Sequence, residues 1–231
     1  MLETEEKNIL KYFNRTNNYL HKDFGVTIRK IIIKNLLQKL ENKRILDVGC
    51  GNGAISMQYA KNNHITMLDI SSEMLTLAKN QAIIQNLNNI EYLQFSLDEF
   101  ITEKKFDIII AVGLLAHVPS VKKTIVKLGE LLEPSGNLIV QFSNYDSLIT
   151  KLNFVISKRG YKINSITKSQ MEQILVKNSL GIKDYAQYSI LFPGIGKLPN
   201  RLLYDYTFLT YKNRLLSRFG TDYIWKLHLL K

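Results

Sequence analysis

The chain has 231 residues, 45% of them apolar and 22% charged, which fits one sizeable α/β domain with a hydrophobic core. The sequence contains no stretch of about 18 apolar residues, which excludes a membrane-spanning helix, and its polar, acidic N-terminus does not resemble a secretory signal. The single cysteine, Cys50, excludes an internal disulfide and a multi-cysteine zinc site, and the expected location is the cytoplasm.

The net charge of +11 has two interpretations. A basic protein is attracted to nucleic acids and to anionic membrane surfaces, because long-range electrostatics favours those partners. Lysine, asparagine and isoleucine are nevertheless frequent along the whole chain. A compositional bias that leaves most of the excess charge on a solvated surface is therefore the simpler interpretation.

Residues 1–42 are predicted to form a helical N-terminal cap. Apolar side chains recur there at three- and four-residue spacing, which is the period of an amphipathic helix. The positions that carry this pattern are Ile9, Leu10, Phe13, Val26, Ile28, Ile31, Ile32, Leu36, Leu37 and Leu40.

The stretch 44–56 is predicted to be a buried strand, a glycine-rich turn and the start of a helix. Gly49, Gly51 and Gly53 provide a backbone that bends tightly and offers its N–H groups to a ligand, beside the positive end of the helix dipole. Their spacing differs from the G-x-G-x-x-G of dinucleotide sites, and the lysine of a P-loop is missing. Asp47 would repel a pyrophosphate and attract a cation. The turn therefore indicates a ligand with a ribose or an ammonium group, unless the glycines serve only to permit the turn.

Strands and helices alternate along the rest of the chain. Further strands are predicted at 64–68, 90–95, 106–112, 137–142, 182–191 and 221–231, and helices at 54–61, 71–85, 120–132 and 167–179. Ser71 is the predicted N-cap of its helix, and Gly181 is the residue expected to end the last one. The apolar run at 106–112 is typical of the centre of a parallel sheet. The alternation predicts right-handed crossovers and a doubly wound α/β sheet.

The segment Asp47-Val48-Gly49-Cys50-Gly51-Asn52-Gly53 resembles the first motif of class I S-adenosylmethionine-dependent methyltransferases that act on small molecules. Asp69 and the segments 106–117 and 131–138 match later motifs of that family in the right order. The resemblance is close over 44–142 and extends in outline to the final strand. It implies a Rossmann-like, mostly parallel seven-stranded sheet, with S-adenosyl-L-methionine as the cofactor and S-adenosyl-L-homocysteine as its product.

The resemblance also implies a division of one domain into parts. These parts are the cap at 1–42, a cofactor-binding core at 43–143, and lid-like insertions at 144–166 and 192–219. The residues expected to bind the cofactor are Asp47, Gly49, Cys50, Gly51, Gly53, Asp69, Ile70, Met74, Ser96, Leu97, Val112 and Gly113. Asp69 matches the acid that binds both ribose hydroxyls, a geometry also used for the ribose of dinucleotides.

Two positions in this prediction stay open. Either Ser96 or Asp98 meets the exocyclic amine of the adenine, and we prefer Ser96 with the backbone N–H of Leu97 on the ring. His117 is the candidate catalytic base, because it follows the fourth strand in the loop that faces the acceptor. The alternative is a packing role for His117, with methyl transfer driven by positioning alone. The four histidines are scattered, so no metal is expected.

The two insertions leave the edge of the sheet where ligands bind, so they are expected to cover the acceptor together with the N-terminal helices. They carry +7 of the net charge: +3 in 144–165, where four cations face Asp146, and +4 in 192–219, where five face Asp205. The second insertion also contains an amphipathic, aromatic stretch. It is expected to cover an acidic or a sugar- or nucleotide-linked acceptor, to lie on a membrane surface, or simply to pack on the core.

We therefore predict an enzyme that transfers a methyl group from S-adenosylmethionine to an oxygen or nitrogen of a small-molecule acceptor. One alternative is an isoprenoid or lipid acceptor, with peripheral contact at the inner membrane surface. Another is a partner protein that binds S-adenosylmethionine without catalysis. Nucleic acid is disfavoured, because Val112-Gly113-Leu114-Leu115 replaces the proline-containing tetrapeptide of enzymes that methylate its amino groups.

Overall fold

The computed structural model of the protein describes residues 23–146, 151, 164–190, 195 and 198–230. Its strands are β1 (Arg44–Val48), β2 (His64–Asp69), β3 (Ile90–Gln94), β4 (Phe106–Ala111), β5 (Leu132–Ser143), β6 (Leu180–Tyr188) and β7 (Asp222–Leu229). Its helices are α1 (Asp23–Leu37), α2 (Ser72–Ile84), α3 (Val121–Glu130), α4 (Lys168–Lys177) and α5 (Asn200–Lys212), with 3-10 helices at Met57–Asn62 and Leu216–Phe219.

The seven strands form one sheet in the order β3-β2-β1-β4-β5-β7-β6. Strands β1 to β5 pair in parallel, whereas β7 runs antiparallel to both β5 and β6. The predicted Rossmann-like, mostly parallel seven-stranded fold is confirmed. The carboxyl ends of β1 to β6 and the start of β7 therefore lie along one edge, where open α/β sheets bind their ligands.

Alternate residues of the central strands point to two apolar layers. Ile108 and Ile110 pack in the layer that includes α1 and α2, whereas Ile109 packs in the layer that includes α3 and α4. All three isoleucines are at most 2% exposed, as expected for a parallel strand covered on both faces. The core thus holds the strand ends in fixed positions.

Several element boundaries differ from the sequence prediction. Helix α4 ends through Ser179, which takes a left-handed φ of 53°, and not through Gly181. Gly181 belongs to β6, where a Cβ would lie 2.7 Å from a Leu230 side-chain atom and 2.9 Å from one of His228. The glycine is therefore needed for a close cross-strand approach. The helix predicted from residue 54 is a shorter 3-10 helix that begins at Met57.

The predicted turn at 133–136 lies inside the bounds of β5. Phe106 pairs with Leu132 and Ile108 with Asn137, so the intervening residues bulge out of the ladder. A Cβ on Gly136 would lie 2.9 Å from the side chain of Leu132, which explains a glycine at the close of this bulge. The residues that leave the ladder are those predicted to form the turn, but β5 already pairs with β4 at Leu132, before the turn.

Parts of the predicted cap and insertions lie outside the described residues. These parts are 1–22 of the cap, 147–150 and 152–163 of the first insertion, and 192–194 and 196–197 of the second. The described end of the cap, α1, packs against α5 of the second insertion and against β6 and β7. On α5, Leu203 is 5% exposed and Thr207 is 7% exposed, so one face of this helix belongs to the protein core.

Candidate functional site

The glycine turn after β1 bends back towards the end of β2. The N–H groups of Gly49 and Cys50 both donate to the carbonyl of Leu68, at 2.8 and 3.2 Å. Gly49, Gly51 and Gly53 have φ values of +66°, +54° and +73°, a region that other residues rarely adopt. A Cβ on Gly49 would lie 3.0 Å from Leu114 Cδ1, so the bare backbone here is also a steric requirement.

Asp69 ends β2 directly opposite this turn. One carboxylate oxygen accepts the N–H of Gly51 at 2.8 Å, and the other accepts the N–H of Ser71 at 2.9 Å. Burial raises the pKa of Asp69, while these backbone bonds oppose the rise. The two amides fix the carboxylate plane, and each oxygen has a second lone pair that can accept a hydroxyl hydrogen. This is the geometry that a vicinal diol such as a ribose requires.

Asp47 lies inside β1 beside Asp69 and is 3% exposed. Within the described part of the chain its Oδ2 has no partner at hydrogen-bonding geometry. Burial raises the pKa of Asp47 to about 7; the nearby Ser56 hydroxyl opposes this rise, and the charge of Asp69 adds to it. An unpaired buried carboxylate is costly, so its presence in a β-strand calls for a ligand that completes it. A cationic group meets that requirement.

The other predicted residues around the turn are placed as follows. The Sγ of Cys50 points to its neighbour's carbonyl, that of Gly51, at 3.4 Å, and burial raises the pKa of this thiol. Met74 is 1% exposed in the first turn of α2, whose N-cap is Ser71 as predicted. Ile70 lies between β2 and this cap, and its carbonyl accepts the amide of Gln94 from the end of β3. The ends of β1, β2 and β3 are thus linked to one another.

A short turn follows β3, where the adenine is predicted to bind. Leu97 is 8% exposed and packs into the core, whereas Asp98 is exposed. Both the N–H and the hydroxyl of Ser96 donate to Glu99 Oε2, at 3.0 and 2.7 Å. These bonds lower the pKa of Glu99. A carboxylate therefore lies beside position 96 although residue 96 is a serine, and the sequence prediction, which considered Ser96 and Asp98, did not identify it.

The end of β4 forms the opposite side of the site. Gly113 has a φ of +78°, and its N–H donates to the buried Gln141 Oε1 at 3.1 Å. Val112 is half-buried against the layer that contains α1. A Cβ on Gly113 would lie 3.8 Å from Nη1 of Arg29, which reaches this point from α1. The sequence prediction placed the N-terminal helices over the acceptor but did not identify Arg29.

The loop after β4 carries His117, the predicted base. The N–H of His117 donates to the carbonyl of Leu114 at 2.9 Å, which closes the loop into a turn. Asn164, at the end of the first insertion, holds this loop through hydrogen bonds to its backbone. Its side-chain amide donates to the carbonyls of Leu115 and Val118, and its N–H donates to the carbonyl of Ala116. Asn164 thus fixes the conformation of this loop, and no sequence signal indicated it.

The donor side of the site fits S-adenosylmethionine. Asp69 offers a held carboxylate for a diol, and Asp47 offers an unpaired carboxyl oxygen for a cation. Across the described ranges, no three His, Cys, Asp or Glu side chains come together in a way that could hold a metal ion. None of the described helices is long and apolar enough to cross a membrane.

Comparison with known proteins agrees with this geometry. A family model for the methyltransferase domain matches residues 39–181. A ubiquinone biosynthesis O-methyltransferase of Coxiella burnetii is 35% identical over 152 residues, which cover 64% of this chain. The chain spans 58% of the length of that relative.

Solved structures share the fold at low sequence identity. The magnesium protoporphyrin IX methyltransferase of Synechocystis PCC 6803, solved with bound S-adenosylhomocysteine, has a TM-score of 0.68 and 16% identity, with 98% of this chain and 100% of that chain covered. A solved cyclase shares the fold with a TM-score of 0.57 and 16% identity. The matched region covers 83% of this chain and 76% of the cyclase chain. The same fold thus occurs with a second chemistry. By its family match and its seven-stranded sheet, the chain belongs to the methyltransferase-domain family of class I, S-adenosylmethionine-dependent enzymes.

Proposed function

We propose that the protein transfers the methyl group of S-adenosylmethionine to an oxygen atom of a small-molecule acceptor. The observation that carries this proposal is the pair of acids at the ends of β1 and β2. Asp69 is held by two backbone amides, and Asp47 has a buried oxygen without a partner in the described chain. The choice of oxygen is supported by the name of the Coxiella burnetii relative.

The chain's own residues divide the work as follows. Asp69 holds the ribose diol, Asp47 holds the ammonium group, and the turn at 96–99 holds the adenine. When bound, the cofactor supplies an electrophilic methyl group, and its sulfur keeps the electron pair of the broken bond. Gly113 leaves room at the end of β4 for the acceptor to approach. Positioning alone accounts for a large part of the barrier reduction in such transfers.

His117 is proposed to take the proton from the acceptor hydroxyl. Its loop is fixed by Asn164, which keeps the ring near the end of β4. A general base of this kind contributes about 10²- to 10⁴-fold. We expect His117→Ala to lower kcat by about 100-fold and to leave S-adenosylhomocysteine affinity unchanged. Full turnover by this variant at saturating acceptor would show that positioning suffices.

The experiment that tests the proposal combines binding with turnover. Calorimetry measures the affinity for S-adenosylmethionine, and transfer of a labelled methyl group to catechol, 3,4-dihydroxybenzoate and a prenylated catechol measures the reaction. Absence of cofactor binding rejects the proposal entirely. Binding without transfer to any acceptor favours the non-catalytic alternative, in which the protein only carries or senses S-adenosylmethionine.

A lipid-borne acceptor is a second candidate, favoured by the surface of the second insertion. We define the apolar patch as Leu202 and Leu209 on α5 and Leu215, Leu216 and Phe219 after it. Their exposed fractions are 52%, 67%, 69%, 44% and 69%, respectively. Four exposed cations, Arg201, Lys212, Arg214 and Arg218, flank this patch.

An exposed apolar patch bordered by cations is typical of a helix that lies in a membrane interface. The Coxiella burnetii relative is named for the biosynthesis of ubiquinone, whose isoprenoid tail resides in membranes. Flotation with vesicles that contain an anionic lipid tests this candidate. We expect salt-sensitive binding that is lost in Leu209→Ser/Phe219→Ser. Equal flotation of this variant and the native protein would reject the patch as the contact surface.

A further inference from the structure

We infer that the side-chain amide of Gln141 donates a hydrogen bond to an oxygen atom of the methyl acceptor, beside the end of β4. This inference deepens the proposed function and rests on it, because it names a residue that recognises the acceptor in that same site. An amide donor carries no charge, so it suits a hydroxyl or carbonyl oxygen of a small molecule.

Gln141 is a polar residue in the most apolar part of β5. It is 6% exposed, and its neighbours along the strand, Val140 and Phe142, are 0% and 3% exposed. Across the sheet it pairs with Ile224 of β7, which is 0% exposed. An amide in such surroundings costs free energy unless its oxygen and its nitrogen both find partners. Both ends of this amide therefore need an explanation.

The oxygen end of the amide is bound within the protein. The N–H of Gly113 donates to Oε1 of Gln141 at 3.1 Å. A backbone N–H can only donate, so this bond identifies which end of the amide is the oxygen. Gly113 follows β4 with a φ of +78°, and the bond holds it in that conformation. The orientation of the planar amide is fixed in turn.

The nitrogen end of the amide is available to a ligand. In the described ranges of the chain, Nε2 of Gln141 makes no hydrogen bond. The described buried polar atoms that lack a partner do not include this nitrogen, so it keeps access to the space around the strand ends. An amide nitrogen carries two hydrogens and can donate both. An oxygen atom in this space would complete the hydrogen bonding of Gln141.

The place of β5 in the sheet assigns this donor to the acceptor. Asp47 and Asp69, which are proposed to hold the cofactor, lie on β1 and β2, whereas β5 lies on the opposite side of β4. Neighbouring strands are about 4.8 Å apart, so β5 lies about 10 Å from β1. Gly113, between them, is predicted to lie beside the transferable methyl group. A donor on β5 therefore lies on the side from which an acceptor reaches that group.

A purely structural role explains only half of this amide. Holding the N–H of Gly113 requires one acceptor oxygen, which a glutamate would also supply. It does not require the two donors of the nitrogen. Gln141→Glu keeps the oxygen and replaces the nitrogen, so this variant separates a structural role from recognition of the acceptor.

The test measures binding of catechol to the protein loaded with S-adenosylhomocysteine. The variants are Gln141→Glu and Gln141→Met, which has a similar length but loses both ends of the amide, and the matched control is Gln173→Glu on the exposed side of α4. Catechol is neutral, so an introduced carboxylate does not repel it by charge. We expect both changes at residue 141 to weaken catechol binding by about tenfold, as for a polar group left without its partner. Affinity of the Gln141→Glu variant for S-adenosylhomocysteine should change by less than about twofold, which verifies that it is folded.

The pattern across the variants decides the outcome. Weaker catechol binding in Gln141→Met alone, with Gln141→Glu equal to Gln173→Glu, would show that only the bond to Gly113 matters and would overturn the inference. An equal loss of S-adenosylhomocysteine affinity in Gln141→Glu would assign the nitrogen to the cofactor and overturn it too, as would a native protein that binds no catechol. Catechol binding that depends on Gln141, without methyl transfer, would reject the proposed function and leave the hydrogen bond standing.

Discussion

The donor and acceptor ends of the site are built in different ways. At the donor end, Gly51 and Asp69 are bonded across 18 residues, within one strand-turn-strand unit. At the acceptor end, Asn164 and Leu115 are bonded across 49 residues, which joins the first insertion to the loop that carries His117. A compact motif can therefore identify the methyl donor, whereas the acceptor surface exists only after the whole sheet has folded.

The two ends also differ in charge. The donor end brings together two carboxyl groups, the buried Asp47 and the half-buried Asp69, which favour a cationic ligand. The acceptor end is formed by uncharged groups, with the backbone of Gly113 bonded to Gln141 and the loop of His117 bonded to Asn164. If the ends act independently, a change at one should leave the ligand of the other unaffected. The following predictions test that separation, beginning with the largest expected effect.

The first prediction concerns the stability that the folded protein loses because the carboxyl group of Asp47 is buried. Because its pKa in the folded protein is about 7, above that of an unfolded aspartate, the folded state holds a proton that the unfolded state releases. The stability of the native protein relative to Asp47→Asn should therefore fall as the pH rises from about 4 to about 7, and level off above it. The full difference is up to about 4 kcal/mol. Urea unfolding at a series of pH values measures it.

Asp47→Asn should at the same time weaken the affinity for S-adenosylhomocysteine and leave 3,4-dihydroxybenzoate binding unchanged. A difference in stability that does not vary between pH 4 and 7 would show that Asp47 is ionised throughout and that its burial is compensated. Thr210→Val, a change of a buried side chain on α5 whose hydroxyl donates to the backbone carbonyls of Tyr206 and Thr207, is the control without a titrating group.

The second prediction concerns the ribose. Asp69→Ala removes a charged acceptor for two hydroxyls, and we expect S-adenosylhomocysteine affinity to fall by about 100-fold, since charged hydrogen bonds contribute about 1.5–3 kcal/mol each. Asp69→Asn, which keeps one acceptor oxygen, should lose about tenfold. Glu103→Ala, an exposed acid in the loop before β4, is the control. Unchanged affinity in Asp69→Ala would remove this residue from the donor end.

The same contrast explains what the sequence could predict. The order of strands, the glycine turn and Asp69 follow from local patterns, namely apolar runs, glycine spacing and an acid at a strand end. The boundary errors arose where a tertiary contact decides the local structure, as at Gly181, whose backbone must pass close to Leu230 and His228. Propensity alone assigns such a glycine to a helix end.

The acceptor end carried no sequence signal of this kind. Gln141 lies in an apolar strand pattern that does not reveal its bond to the N–H of Gly113. Asn164 likewise reads as a polar loop residue until its amide is seen to hold the loop of His117. Long-range hydrogen bonds between single residues leave no period or spacing to detect.

The third prediction compares two glycines, one in the turn after β1 and one in α1, by the effect of an added Cβ on the free energy of unfolding. Gly53 has a φ of +73°, and a Cβ there would lie 2.7 Å from Met57 Cε and 2.8 Å from Met67 Cε. Gly53→Ala should lower the free energy of unfolding by about 1–3 kcal/mol, since left-handed backbone and crowding add. Gly25→Ala in α1, with nothing within 4 Å, should raise it by about 0.5 kcal/mol. Equal effects of both changes in urea unfolding would contradict the steric account of the turn.

The fourth prediction has the smallest expected effect and concerns which carboxylate contacts the adenine. Glu99 Oε2 accepts both bonds from Ser96, so its carboxylate, and not that of Asp98, lies at position 96. Glu99→Gln should weaken S-adenosylhomocysteine binding by about threefold, the modest effect of an exposed charged hydrogen bond. Asp98→Asn should leave it unchanged, because this side chain is exposed and the contact of Lys127 is to the backbone carbonyl of Asp98. The reverse pattern would place the carboxylate of Asp98, and not that of Glu99, at the adenine. Neither change should alter 3,4-dihydroxybenzoate binding if the donor and acceptor ends are separate.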